Sequence, residues 1–250
     1  PPPVLAAPTT AAVPPTGGGA NGARHFWQLQ AGTLSGWWLC LANDRDWIVR
    51  LPAVQRREAL SIKGGRNVTV VAGDITTARN TTDDRERRCL HVQTYGPVDG
   101  WANPPAPGRV VHIEGVRCSG DGGGSADGFS VAAPEAIVQV QRCRADGLRG
   151  TYTSPGPTGV GTTHADVIQA WGGCQELRIA DLSGGSNMAG LQVRSDLAAN
   201  GPIRLRRVNV WQERDTSGDF PPAHKGGAED YYLAAFAPGD TVELRDVYVA

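Results

Sequence analysis

Ile203-Arg204-Leu205-Arg206-Arg207-Val208-Asn209-Val210 is the stretch on which the fold turns. Its first two apolar residues alternate with polar ones at period two, as a strand with one buried face requires, and the apolar series resumes after a two-residue step that fits a bend. The same phrase occurs five more times. It reads Val68-Thr69-Val70-Val71-Ala72-Gly73-Asp74-Ile75, then Val111-His112-Ile113-Glu114-Gly115-Val116-Arg117-Cys118, then Val138-Gln139-Val140-Gln141-Arg142-Cys143. It returns as Leu177-Arg178-Ile179-Ala180-Asp181-Leu182 and as Val242-Glu243-Leu244-Arg245-Asp246-Val247-Tyr248-Val249.

A second strand type lies between these copies. Its members are Leu90-His91-Val92-Gln93-Thr94-Tyr95, Phe129-Ser130-Val131-Ala132, Ile168-Gln169-Ala170-Trp171, Leu191-Gln192-Val193-Arg194 and Tyr232-Leu233-Ala234-Ala235. The two types alternate strictly, so each pair reads as one turn of a coil. Spacing between first-type strands runs from 26 residues (Leu177 to Ile203) to 43 (Val68 to Val111). Constant strands joined by variable loops are what a stacked solenoid permits, because insertions project without disturbing the stack.

Composition agrees with an all-β chain. With 33 Gly, 18 Pro and one Met in 250 residues, short strands and turns are favoured over helices. A formal net charge of −1 gives no electrostatic case for nucleic acid or an anionic membrane, and no apolar run is long enough for membrane insertion. Cys40, Cys89, Cys118, Cys143 and Cys174 form no metal-ligand spacing, and an odd number at irregular intervals is a poor disulfide framework. Cys143 falls at an inward position of the repeat and reads as a small buried residue.

Residues 1–24 form a Pro/Ala/Gly-rich arm or linker. They lack the basic start and apolar run of a secretory signal, and without an initiator Met the chain reads as a processed product or part of something longer. Residues 25–66, with Trp27, Trp37, Trp38 and Trp47 close together, read as an N-terminal cap and first coil, or else as an aromatic platform for sugars. Residues 67–250 form the body. The sequence stops at Val247-Tyr248-Val249-Ala250, in mid-rung, an open end that invites association.

Gly64-Gly65-Arg66-Asn67-Val68-Thr69-Val70, the Asp-Gly-apolar strand starts and the alternating rungs resemble the right-handed parallel β-helix superfamily, the pectin-lyase-like fold, over residues 45–250. That resemblance implies a right-handed solenoid of about six coils. The superfamily includes polysaccharide lyases, glycoside hydrolases, phage tailspikes and tail fibres, and autotransporter passengers. The phrase His164-Ala165-Asp166-Val167-Ile168-Gln169-Ala170-Trp171-Gly172-Gly173 is similar to β-helix minor tail proteins of actinobacterial phages. It implies a trimeric or larger tail assembly, on a virion or secreted, that binds a cell-surface polysaccharide and needs no cofactor.

Stacked rungs about 4.8 Å apart place second-type side chains in columns. One is His91, Ser130, Gln169, Gln192 and Leu233; the next is Gln93, Ala132, Trp171, Arg194 and Ala235. Just before the strands come Arg88, Asp127, Asp166, Ala189 and Asp230. Together they read as an exposed polar strip with an aromatic in it, the substrate-binding candidates being His91, Gln93, Ser130, Gln169, Trp171, Gln192, Arg194 and Asp230. Asp127 and Asp166, one rung apart, are expected about 5 Å from each other, and Asp166 and Asp230 roughly 9 to 10 Å, near the retaining and inverting separations of glycosidases. His164 is a further proton carrier. The plainer reading of Asp127-Gly128 is a turn whose carboxylate caps the bend.

Several known patterns are missing. The sequence has no counterpart of the Asn-Thr-Asp, Asp-Asp, Gly-His-Gly and Arg-Ile-Lys series of polygalacturonase-like hydrolases, and no acidic calcium cluster like that of pectate lyases. Arg85-Glu86-Arg87-Arg88, next to Asp83 and Asp84, reads as a solvated loop. Three functions stay open: a glycan-binding tail or tail-fibre protein, a polysaccharide hydrolase or lyase using Asp127, Asp166 and His164, and a structural spacer.

Overall fold

The computed structural model describes residues 38–41, 43, 46–51, 59–76, 88–94, 107–120, 127–149, 152–153, 161–162, 165–187, 189–193, 201–213, 234–236 and 240–249. Every regular element among them is a strand. In chain order they are β1 (Trp38–Leu41), β2 (Trp47–Arg50), β3 (Leu60–Gly64), β4 (Val68–Val71), β5 (Asp74–Thr76) and β6 (Leu90–Gln93). Next come β7 (Arg109–Glu114), β8 (Arg117–Ser119), β9 (Phe129–Gln141), β10 (Arg144–Leu148), the antiparallel pair β11 (Tyr152–Thr153) and β12 (Gly161–Thr162), and β13 (Asp166–Gln169). β14 (Cys174–Ser186), β15 (Ala189–Gln192), β16 (Ile203–Gln212), β17 (Ala234–Ala235) and β18 (Val242–Val249) complete the series.

Apart from β11 and β12, all pair in parallel and form one curled sheet. The chain visits three ladders of that sheet in a fixed order. The first carries the repeat: Val68, Val111, Val138, Leu177, Ile203 and Val242 lie side by side in register, with Trp47 of β2 before them. In the second, Ile75, Cys118, Ala145, Gly184, Val210 and Val249 are in register. The third aligns Leu60, Leu90, Phe129, Ile168, Leu191 and Ala234. Sequence alternation had paired Tyr232, not Ala234, with Leu191. Both residues suit a period-two apolar position, and the observed register is the one shifted by two.

The inward columns form one continuous core. Val70, Ile113, Val140, Ile179 and Leu205, neighbours in the first ladder, are all buried, as are Leu90, Phe129, Ile168 and Leu191 in the third. Close packing of like side chains on successive rungs is where most of the stabilisation arises. At β18, which pairs only with β16 among the described strands, Leu244, Tyr248 and Val249 are exposed.

The two-residue step in the repeat is a corner of fixed backbone geometry. Ala72, Gly115, Arg142, Asp181, Arg207 and Asp246 follow residues that are mutual neighbours in the first ladder, and all six have positive φ, between 50° and 67°. Only one of them is glycine, so the stack imposes a conformation that five L-residues would otherwise avoid. The last four alternate in charge. Arg207 grips Asp181 with two hydrogen bonds, Nη2 to Oδ2 at 2.6 Å and Nε to Oδ1, and holds its carboxyl below the ordinary range. Ala72 makes no such compensating pair, so Ala72→Gly is expected to raise the unfolding free energy by about 0.5 to 1 kcal/mol, the left-handed penalty less the entropy of glycine. Urea unfolding measures it, and a destabilised variant would contradict the corner assignment.

Candidate functional site

The third ladder carries the polar columns on the side facing away from the core. Register places Ser61, His91, Ser130, Gln169, Gln192 and Ala235 in one column. Ala235 therefore stands where sequence analysis put Leu233. Asp230, His164, Arg194 and Leu233 lie outside the described residues.

The strip is covered rather than open, which corrects the expectation of a solvent-exposed face. His91 is 1% exposed, Ser130 0% and Gln192 6%. Gln93 and Gln169 are half-buried. Trp171 is responsible for part of this. It does not sit flat beside Ala132 but in the turn after β13, where Gly172 lies so close to Ala132 that a Cβ there would approach its Cβ to 2.4 Å. From that turn the indole folds back over the strip: Nε1 donates to Ser130 Oγ at 3.1 Å, and the ring stands 6.0 Å from the His91 imidazole. Trp171 itself stays 41% exposed.

Beside the indole runs the column Arg88, Asp127, Asp166 and Ala189. Arg88 joins the two groups. Its guanidinium lies 5.2 Å from the Trp171 ring centroid while Nε donates to Asp127 Oδ2 at 3.1 Å. Asp127 Oδ1 in turn faces the backbone N–H of Asp166 at 3.4 Å, a long version of the strand-capping contact expected of an Asp-Gly turn. In the sequence the basic run ending at Arg88 reads as a solvated loop, although Arg88 also heads the column of Asp127 and Asp166.

Asp166 is the most unusual group. It is 0% exposed, and neither carboxyl oxygen has a hydrogen-bond partner among the described residues. A buried carboxylate without partners is costly, so burial favours the protonated form. Burial, and then the negative charge of Asp127, push its pKa well above the ordinary aspartate value, against the opposing pull of Arg88. Because the folded value is raised, its stabilising contribution is complete below the ordinary aspartate pKa and declines as pH rises from there through the raised value. The stability difference between wild type and Asp166→Asn is therefore expected to shift against wild type as pH increases. Urea midpoints taken from roughly pH 3 to 7 check this, and a flat difference would show that Asp166 ionises normally.

His91 is neutral for related reasons. The Gln93 amide donates to Nδ1 at 2.5 Å, which leaves the ring proton on Nε2, an atom with no partner among the described residues. Burial, Arg88 and Lys63 lower its pKa well below the ordinary value. Further along, the Gln169 amide donates to Gln192 Oε1.

The outer face thus carries one partly exposed aromatic with a cation over it, and beside them two buried acids, Asp127 and Asp166. An indole held by polar contacts can stack on a sugar ring, and a neutral carboxyl can donate a proton. Among the described residues no group of three or more His, Cys, Asp or Glu is placed to hold a metal ion. No described helix is long and apolar enough to cross a membrane. In comparisons with known proteins, the chain matches no family model, no curated protein and no solved structure.

Proposed function

We propose that the curled sheet winds as a right-handed parallel β-helix of about six coils and that its third ladder binds a cell-surface polysaccharide. Trp171 carries this reading. Among the described residues the other large hydrophobics left exposed are Leu244, Tyr248 and Val249, all on β18, whereas Trp171 stands in the middle of the stack at 41% exposure, fixed by Ser130 and Arg88. A preorganised aromatic on a rigid face is the usual way to recognise a pyranose, since little entropy is lost on binding. The resemblance to phage tail and tail-fibre β-helices supports a virion or secreted setting and a trimeric or larger assembly.

A second reading has its own observation. Asp166, buried next to Asp127 with its pKa pushed up, has the chemistry of a general acid, which supports a polysaccharide hydrolase in which substrate binding uncovers the carboxyl. Incubation with bacterial cell-wall and capsular polysaccharides, followed by co-sedimentation and mass spectrometry of products, separates the two. Intact chains that co-sediment support binding alone. Shortened chains from wild type but not from Asp166→Asn establish hydrolysis, and neither retention nor cleavage leaves a structural spacer.

A further inference from the structure

Where the second ladder meets the approach to the third, two backbones come unusually close. An ideal Cβ on Gly128 would stand 2.6 Å from the Ala145 Cβ, and one on Gly184 would stand 2.6 Å from Val167 Cγ1. These contacts are equivalent. Gly128 and Val167 each precede the aligned residues Phe129 and Ile168, and Ala145 is in register with Gly184. In both pairs one partner must be glycine, because the space holds a single side chain.

One coil earlier the same two positions are Cys89 and Cys118. Cys89 precedes Leu90, the neighbour of Phe129, and Cys118 is in register with Ala145. Here, as at the equivalent Ala59 and Ile75, two side chains occupy a position that takes one at Gly128–Ala145 and Val167–Gly184. Both residues are 0% exposed, and the Cys89 Sγ–H points to the Ile75 carbonyl at 3.8 Å, Ile75 being the ladder neighbour of Cys118. Two Cβ atoms joined through sulfurs stand about 3.8 Å apart, a small widening of the approach seen at Gly128 and Ala145.

We infer that Cys89 and Cys118 are a cross-linking site, closing to an intercoil disulfide when the chain folds in an oxidising medium. The pair is a thiol pair in the structure. Burial and the adjoining Cys89 sulfur keep the Cys118 thiol protonated, so oxidation belongs to folding, before the coils close over the sulfurs. With glutathione disulfide as oxidant, the thiolate of one cysteine attacks a glutathione sulfur, releases one glutathione and leaves a mixed disulfide. The second thiolate displaces the second glutathione. The protein loses two electrons and two protons, and one glutathione disulfide becomes two thiols. Cys143, whose Sγ lies 3.2 Å from the Gln141 carbonyl, is the natural competitor.

The test is to refold the reduced 250-residue chain in mixed reduced and oxidised glutathione, block free thiols with N-ethylmaleimide and map peptides without reduction. The expected result is a peptide containing Cys89 joined to one containing Cys118, lighter by two hydrogen atoms than the separate pair. The oxidised protein should also melt roughly 10 °C above the same protein kept in dithiothreitol. Cys118→Ala should abolish the linked peptide and the melting difference. Full alkylation of Cys89 and Cys118 after refolding, or linkage of Cys118 to Cys143 instead, would overturn the inference, and the wild-type map decides even if the variant does not fold.

Discussion

Gly201→Ala is expected to destabilise the protein by about 3 kcal/mol, at the upper end for a single inserted methyl group. An ideal Cβ on Gly201 would stand 1.8 Å from the carbonyl oxygen of Gln175 and 2.7 Å from its carbonyl carbon. Both are backbone atoms, so no side-chain rotation relieves the overlap. The Gly201 N–H also donates to the Cys174 carbonyl at 2.9 Å, which ties the two segments together at the point of collision. Relief requires parting β16 from β14, whose register runs unbroken in direction from Leu177 beside Ile203 to Ser186 beside Gln212. Urea unfolding gives the magnitude. Amide exchange should show the damage confined to β16 and β18, because a stacked sheet passes strain chiefly to adjacent rungs. A loss under about 0.5 kcal/mol would mean that the two backbones part freely.

Trp171→Ala should weaken polysaccharide binding about 30-fold or more while changing stability little. An aromatic that anchors a ligand contributes far more to affinity than its neighbours, and a side chain 41% exposed adds modestly to folding. Equilibrium binding to the polysaccharide that co-sediments with wild type measures the effect. The Ser130→Ala variant should fall between the two, since it removes the 3.1 Å hydrogen bond that holds the indole but leaves the ring in place. Unchanged affinity in Trp171→Ala would remove the third ladder from consideration as the binding face.

The first ladder was legible in the sequence down to the residue: Val68, Val111, Val138, Leu177, Ile203 and Val242 are both the repeat and one observed column. Burying one strand face forces period-two alternation, and alternation fixes register wherever polar residues interrupt it. Tyr232-Leu233-Ala234-Ala235 has no polar residue to interrupt it, and there the register was read two residues off. The outer face was harder to read. Alternation tells which side chains leave the core but not what lies on top of them, so the turn that folds Trp171 back over Ser130 and His91, and the reach of Arg88 to both Trp171 and Asp127, had no periodic signal. Gly201 likewise advertises a close approach without naming Gln175 as the group approached.

The left-handed corner carries a rule of parity. Along it Arg142, Asp181, Arg207 and Asp246 alternate in sign, with Asp181 held by Arg207 and attracted by Arg142. A single extra rung duplicated into this part of the stack would set two like charges side by side, whereas a duplicated doublet would leave every neighbour opposite in sign. Exposed pairs are worth only a fraction of a kcal/mol each, yet the bias has one direction, and lengthening by twos is the easier path there. Ala72 and Gly115, uncharged at the same corner, lie in the earlier part of the stack, where growth by one rung meets no such objection.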